Sequence, residues 1–176
     1  MQFVVGQQLR EPVGSVARYD VREAKPFPGE DDSVSDVAGT VETMRTDKGI
    51  LVSASLGCRI AGRCSRCLTE ISYRLPLTFQ EEYLPTVDPL TEEALPQPDE
   101  PDTFLIGSHQ VLDLREAVRQ YRMLAEPMQP LCQADCLGLC PRCGYDLNQG
   151  PCECPGQDTD DRWAALAELA EKLEQE

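Results

Sequence analysis

Positive charge is what this chain has least of. Its 176 residues hold 16 Lys and Arg against 31 Asp and Glu, a formal net charge of −15. A chain so acidic is repelled by a bare phosphate backbone at long range, which argues against non-specific nucleic-acid binding. A basic protein partner fits better, although a local cationic patch can still touch RNA. Histidine is nearly absent too. His109 is the one histidine, in a loop ahead of Asp113, and reads as solvated. Long apolar runs are also missing. No stretch approaches the length of a membrane span, and Met1-Gln2-Phe3-Val4-Val5-Gly6-Gln7-Gln8 has no charged segment leading into an apolar one. The expectation is a cytoplasmic protein with no membrane partner. There is no nucleotide-binding glycine loop, nucleophile elbow or metalloprotease motif. Neither an enzyme nor a small-molecule substrate is expected.

Cysteine, in contrast, is abundant. Six of the nine cysteines fall between Leu131 and Pro155, and Cys58, Cys64 and Cys67 lie close together upstream. The late segment is short, polar and full of turn formers, so sulfur chemistry must hold it rather than a core. A reducing cytosol and an odd count disfavour a disulfide framework. A redox dithiol wants one pair at a helix start in a βαβ context, and no pair here has that setting.

Structural zinc wants four thiolate or imidazole ligands, usually supplied as two close pairs. The pairs are Cys64-Ser65-Arg66-Cys67, Cys132 with Cys136, Cys140-Pro141-Arg142-Cys143, and Cys152-Glu153-Cys154. The third is the best knuckle. Pro141 stiffens the turn, and Gly144 can take positive φ so that backbone N–H groups turn toward sulfur. The set fits one or two structural Zn²⁺. The preferred division joins Cys64 and Cys67 with Cys132 and Cys136, leaving Cys140, Cys143, Cys152 and Cys154 as a local site. The alternative joins Cys64 and Cys67 with Cys140 and Cys143. Zinc supplies folding free energy directly, on the order of 10 kcal/mol per site. Cys58, inside an apolar strand, reads as a buried thiol. Arg59, Arg63, Arg66 and Arg142 surround the pairs. Arg63, Arg66 and Arg142 are candidate contacts to RNA or a partner; neutralising thiolate charge is an equal reading.

The fold class read from periodicity is α+β. An antiparallel β meander forms the core, with one or two packed helices and a C-terminal cysteine-rich zinc-binding segment. Strands are expected over 37–44, 50–58 and 70–79, with a turn at Asp47-Lys48-Gly49 and the Cys64–Cys67 pair at a tip. Ile71, Tyr73, Leu75, Leu77 and Phe79 share one face, and Pro76 suggests an edge strand or a bulge. Residues 1–33 show little periodicity, with apolar clusters that can add an edge strand and a loop at Glu30-Asp31-Asp32. Between Glu81 and Asp102 lie eight carboxylates, five prolines and no Lys or Arg, an acidic extended loop. Asp113-Leu114-Arg115-Glu116 fits a capping box for a helix over 113–126, with Leu114, Ala117, Val118, Tyr121, Leu124 and Ala125 on its stripe. Pro127 and Pro130 end it and deliver Cys132 to the tip. The expected layout is a β-rich core over 1–126, a docked zinc segment over 127–156 and a helix over 157–176.

Cys64-Ser-Arg-Cys67-Leu68 after a strand, a helix ending in Pro127-Met-Gln-Pro-Leu-Cys132, and Asp135-Cys136-Leu-Gly-Leu-Cys140-Pro-Arg-Cys143-Gly144-Tyr-Asp-Leu147-Asn148 with Cys152-Glu-Cys154 together resemble the YceD family, the large ribosomal RNA subunit accumulation proteins. The resemblance covers roughly residues 35 to 155. It implies a bacterial or plastid protein needed for normal accumulation of large-subunit rRNA, with no catalytic residues to carry over. It also implies that the site around Cys64 and Cys67 is the more general one, since some members lack the downstream pairs. The resulting expectation is a non-enzymatic factor for large-subunit biogenesis, supporting 23S-type rRNA, whose partner is a large-subunit precursor met through a ribosomal protein or rRNA. A zinc-ribbon adaptor outside the ribosome pathway and a thiol redox protein are the alternatives.

Overall fold

The computed structural model describes residues 1–27, 33–96, 98 and 102–154. The loop at Glu30-Asp31-Asp32 and the helix expected over 157–176 lie outside the described residues. Contacts divide the chain into two compact units, Met1–Ala134 and Asp135–Glu176.

The first unit contains β1 (Gln2–Val4), α1 (Gly6–Leu9), β2 (Val16–Glu23), β3 (Val34–Arg45), β4 (Ile50–Arg63), β5 (Glu70–Pro85), β6 (Phe104–Ile106), β7 (Val111–Asp113) and α2 (Arg115–Ala125). Strands β2 to β5 form an antiparallel meander, and β6 extends it in parallel beside β5, giving a five-stranded sheet. Of the apolar clusters expected to add an edge strand, the one with Val16 and Tyr19 lies in β2 at the edge of this sheet, whereas Phe3 and Val4 lie in β1, which pairs with β7 in a separate ribbon. The architecture is therefore the expected α+β meander, longer in every strand than periodicity suggested.

Alternation explains the sheet. In β4, Ile50, Val52, Ala54, Leu56, Cys58 and Ile60 are buried, while Ser55, Arg59 and Arg63 on the other face are exposed. Burying a Val or Leu side chain of this kind contributes roughly 1.5–3 kcal/mol. In β3 the alternation is loose for a physical reason. Ser35 pairs with Arg59 and Ala38 with Gly57, so β3 holds one extra residue at a bulge, and its buried residues step from Val34 to Val37. Gly39 follows the bulge, where a Cβ would overlap the Ser55 carbonyl oxygen. Pro76 pairs with Gly57 on one side; β6 joins β5 only at Tyr83–Pro85, so the missing N–H falls where β5 is an edge.

Helix α2 lies on β5. Leu114, Ala117 and Val118 are fully buried, and Tyr121 stacks on Phe79 with ring centroids 4.6 Å apart. Two expectations are corrected there. Leu124 is 81% exposed and Arg122 is buried in its place. The last turn is exposed at Met123, Leu124 and Ala125, even though Leu124 falls only about 20° from the buried Ala117 at 100° per residue, and Arg122 there reaches Glu126 at 3.3 Å. Glu126 also accepts from the Tyr73 hydroxyl at 3.0 Å. The capping box does not close. Asp113 accepts from the Arg115 backbone N–H at 2.9 Å, but Glu116 turns to Arg119 and Gln120 instead.

The first part of the acidic stretch, among the described residues, has regular structure in place of the expected extended loop. Residues 81–85 belong to β5, and Val87 bridges Ala94. Asp88 accepts from the backbone N–H groups of Leu90 and Thr91, and these hold its carboxyl below the usual carboxylate range.

Asp113 joins three elements. Burial resists its ionisation, but the Arg115 guanidinium at 2.6 Å, the Arg115 N–H and the Gln2 amide at 2.9 Å outweigh it and hold the carboxyl at about 2. Its folded value thus lies below its ordinary value of 3.8. The stabilisation is complete above that ordinary value and is lost as pH falls toward the folded one. Asp113→Asn should therefore lower the thermal midpoint at neutral pH and flatten its fall across roughly pH 4 to 2, read by circular dichroism melts. An unchanged acid limb would remove Asp113 from this role.

Candidate metal centres

Strand β4 ends at Arg63, and the tip before β5 is a closed turn. The Cys64 N–H donates to the Thr69 carbonyl at 2.9 Å, and the Leu68 N–H donates to the Cys64 carbonyl at 3.0 Å. Leu68 takes a φ of 61°, a left-handed conformation that costs a non-glycine residue roughly 1–2 kcal/mol. The Arg66 N–H points at the Cys64 sulfur, 3.5 Å away.

The segment around Cys140 repeats this turn. The Cys140 N–H donates to the Tyr145 carbonyl at 2.8 Å, the Gly144 N–H donates to the Cys140 carbonyl at 2.9 Å, and Gly144 has a φ of 72°. Both C-x-x-C pairs are thus one knuckle built twice. The glycine made the second legible in the sequence; Leu68 concealed the first.

The remaining ligand candidates arrive by different routes. After α2, Pro127 to Pro130 lead the chain to the tip, where the Ser65 N–H donates to the Pro130 carbonyl at 2.8 Å. Cys132 Sγ then lies 3.6 Å from Cys67 Sγ. In the second unit, Leu139 bridges Asp146, and a 3-10 turn over Leu147–Gln149 follows. Asn148 is the residue that sequence reasoning missed. Its Oδ1 accepts from the Leu137 N–H at 2.8 Å, and its Nδ2 donates to Cys136 Sγ at 3.4 Å. The Asp146-Leu147-Asn148 sequence was its only signal, through the Asx turn in which Asp146 accepts from the Asn148 N–H at 3.0 Å.

The eight cysteines gather into two groups. The sulfurs of Cys64, Cys67, Cys132 and Cys136 lie within 4.8 Å of one another, and so do those of Cys140, Cys143, Cys152 and Cys154. Of the divisions open in the sequence, the geometry has the first. Cys64, Cys67, Cys136 and Cys140 are buried, Cys132 and Cys143 are exposed, and Cys152 and Cys154 are intermediate. Cys58 is a buried core thiol whose S–H points to the Leu75 carbonyl at 3.7 Å, and burial pushes its pKa up. His109 sits exposed in a turn and belongs to neither group.

Electrostatics favours sulfur anions at the head of each knuckle. The backbone N–H of Cys67 lowers the Cys64 thiol to about 6 against the opposing effect of burial, with the Arg66 N–H helping. Cys140 is likewise lowered to about 6, first by the Cys143 N–H and then by that of Arg142. Cys154 is pushed up to about 12, chiefly by its hydrogen bond with Cys143. Clustered thiols cannot all ionise by themselves. A cation among them reverses that balance, so each group can hold a metal ion. Arg63, Arg66 and Arg142 are all exposed, and the backbone N–H groups of Arg66 and Arg142 serve the knuckles directly.

The family described as "Large ribosomal RNA subunit accumulation protein YceD" matches residues 52–170. The chain belongs to the YceD family. The matched stretch starts inside β4 and contains both cysteine groups. An uncharacterized protein of Mycobacterium tuberculosis is 30% identical over 122 residues, 69% of this chain and 56% of its own length. An uncharacterized protein of Mycobacterium leprae is 24% identical over 129 residues, 73% of this chain and 56% of that one. The Arabidopsis thaliana protein named large ribosomal RNA subunit accumulation protein YCED homolog 1, chloroplastic, is 28% identical over 64 residues, 36% of this chain and 20% of its own. The chain thus spans a little over half the length of the mycobacterial relatives it matches. No solved structure gives a significant match.

The knuckle geometry makes a simple forecast. At Gly144 an added Cβ would meet nothing within 4 Å, so Gly144→Ala probes backbone conformation alone. It should cost about 1–2 kcal/mol and speed release of metal from the second group to a chelator. Release at the unaltered rate would show that the left-handed residue does not matter.

Proposed function

We propose that this protein is a non-enzymatic factor for large ribosomal subunit biogenesis, supporting the accumulation of 23S-type rRNA, with two structural Zn²⁺. The supporting observation is that the stretch matching a family named for that process contains two four-cysteine groups, each built on the same knuckle. Cys64, Cys67, Cys132 and Cys136 hold one ion, and Cys140, Cys143, Cys152 and Cys154 the other.

Zinc suits these donors. Zn–S bonds of about 2.3 Å in a tetrahedron place sulfurs roughly 3.8 Å apart. The contacts at 3.6 Å between Cys67 and Cys132 and 3.5 Å between Cys140 and Cys152 are close to that spacing. Four thiolates close the coordination shell, leaving no position for a substrate or an activated water, so the zinc holds structure rather than doing chemistry. The partner is a large-subunit precursor, approached through a ribosomal protein or rRNA in the cytoplasm. The acidic stretch ahead of β6 steers basic ribosomal proteins. Among the described residues no helix is long and apolar enough to cross a membrane.

Metal analysis of the purified protein should give two zinc ions per chain. Cys67→Ser should lose one and Cys143→Ser the other, each with a large drop in the thermal midpoint. A metal-free protein that melts unchanged with chelator would sink the zinc assignment.

The functional reading is tested by sedimenting a lysate on sucrose gradients at low and moderate salt. The protein should travel with large-subunit precursors and leave them as salt rises. Confinement to the top of the gradient in growing cells, at every salt, would refute a role on the precursor.

A further inference from the structure

The sheet has an open face, and charge on it is sorted by position. Arg59 of β4 stands directly opposite Arg74 of β5. The next row toward the middle runs Arg22, Ala38, Gly57, Pro76 across β2 to β5, and Arg63 lies four residues beyond Arg59 along β4. All four arginines are exposed. Directly opposed residues in an antiparallel pair have Cα atoms about 4.5–5.5 Å apart, and rows on one face are about 7 Å apart. Four cationic forks therefore share one end of this face.

Folding does not account for this arrangement. Like charges directly opposite one another destabilise a sheet. Among the described residues none of the four arginines makes a salt bridge. The carboxylates nearest in register are Glu70, opposite Arg63, Asp36 in the bulge beside Ser35, and Asp20, two residues before Arg22. The other end of the face shows the ordinary solution, where Arg18 meets Glu42 at 2.7 Å.

We propose that the end of the open sheet face bearing Arg22, Arg59, Arg63 and Arg74 binds the sugar–phosphate backbone of RNA. Guanidinium forks match phosphate geometry, and the residues between them, Ala38, Gly57, Ala61, Ser72 and Pro76, are small or flat enough to admit a backbone. An acidic protein is the poorer occupant. Protein interfaces centre on buried aromatic or aliphatic anchors, and the exposed large apolar residues on this face, Val16 and Met44, lie at its opposite end. Base stacking is not provided either, since Tyr73 projects to the face covered by α2. The surface thus reads phosphates without reading sequence. The inference rests on the function proposed above only for the source of the RNA.

The test is fluorescence anisotropy of a labelled oligouridylate and a labelled RNA hairpin with the full zinc-loaded chain, at salt from about 50 to 200 mM. Wild type should bind with a log–log salt slope of roughly −2 to −3, about 0.7 per phosphate contacted on a single strand. Arg59→Gln with Arg74→Gln should weaken binding on the order of tenfold at low salt and reduce the slope by about 1.4. Its zinc content should stay unchanged and its thermal midpoint should be no lower, because the opposed like charges are gone. Equal affinity and slope for the double variant would overturn the proposal. So would binding of a polyglutamate peptide in place of either RNA, which would assign the patch to protein carboxylates. Sucrose gradients separate this from the broader function. If both forms travel with large-subunit precursors and only the variant has lost RNA binding in solution, the surface binds RNA but another contact holds the particle. If wild type binds RNA in solution yet stays at the top of the gradient, it is the ribosomal role that fails.

Discussion

Pairing of β4 with β5 along its whole length, and with β3 from Ile50 to Ile60, is the constraint on which the first unit depends. Every side chain of β4 is assigned to one face or the other by that pairing, and a slip of one residue would exchange them. The buried set supplies the apolar centre of the sheet. The exposed set carries Arg59 and Arg63, and the strand's end launches the turn that holds Cys64 and Cys67. Core, charged face and first cysteine pair are consequences of one register.

The cysteine turns follow a different rule. They contain little apolar surface, and their order comes from backbone N–H groups directed at carbonyls and sulfur. Each knuckle spends one left-handed residue to aim those groups, at Leu68 and at Gly144. The two differ in what that conformation costs, since glycine adopts it freely and leucine does not. Asn148 extends the same logic, tying the Leu137 backbone and the Cys136 sulfur to one amide. An apolar replacement at Asn148 could fill space but could not supply that amide.

Charge is distributed against the average. A chain of net charge −15 keeps four arginines together at one end of an open sheet face and tolerates two of them in direct opposition. Three of its carboxylates are held elsewhere: Asp113 between Gln2 and Arg115, Glu116 with Arg119, and Asp88 within its own turn. The overall acidity repels polyanions at a distance, while the local patch attracts them at contact. Such a surface discriminates by short-range geometry more than by long-range attraction.

The cysteine spacing, the strands β3 to β5, the helix on the sheet and the open conformation of Gly144 were all written in local order along the chain. They depend on periods of two and of 3.6 residues and on turn chemistry, which neighbouring residues express by themselves. The tertiary structure alone decided the rest. Leu68 takes a left-handed conformation because the tip must close like its twin, and Arg122 is buried where Glu126, itself held by the Tyr73 hydroxyl, receives it. The small ribbon of β1 and β7 joins segments more than a hundred residues apart in three-residue strands too short to show a period. Arg74 stands opposite Arg59, and Arg22 reaches the same end of the face, only through cross-strand register, since position across a sheet is fixed by which strands pair and by a bulge at Ser35–Ala38, and no local stretch of sequence encodes either.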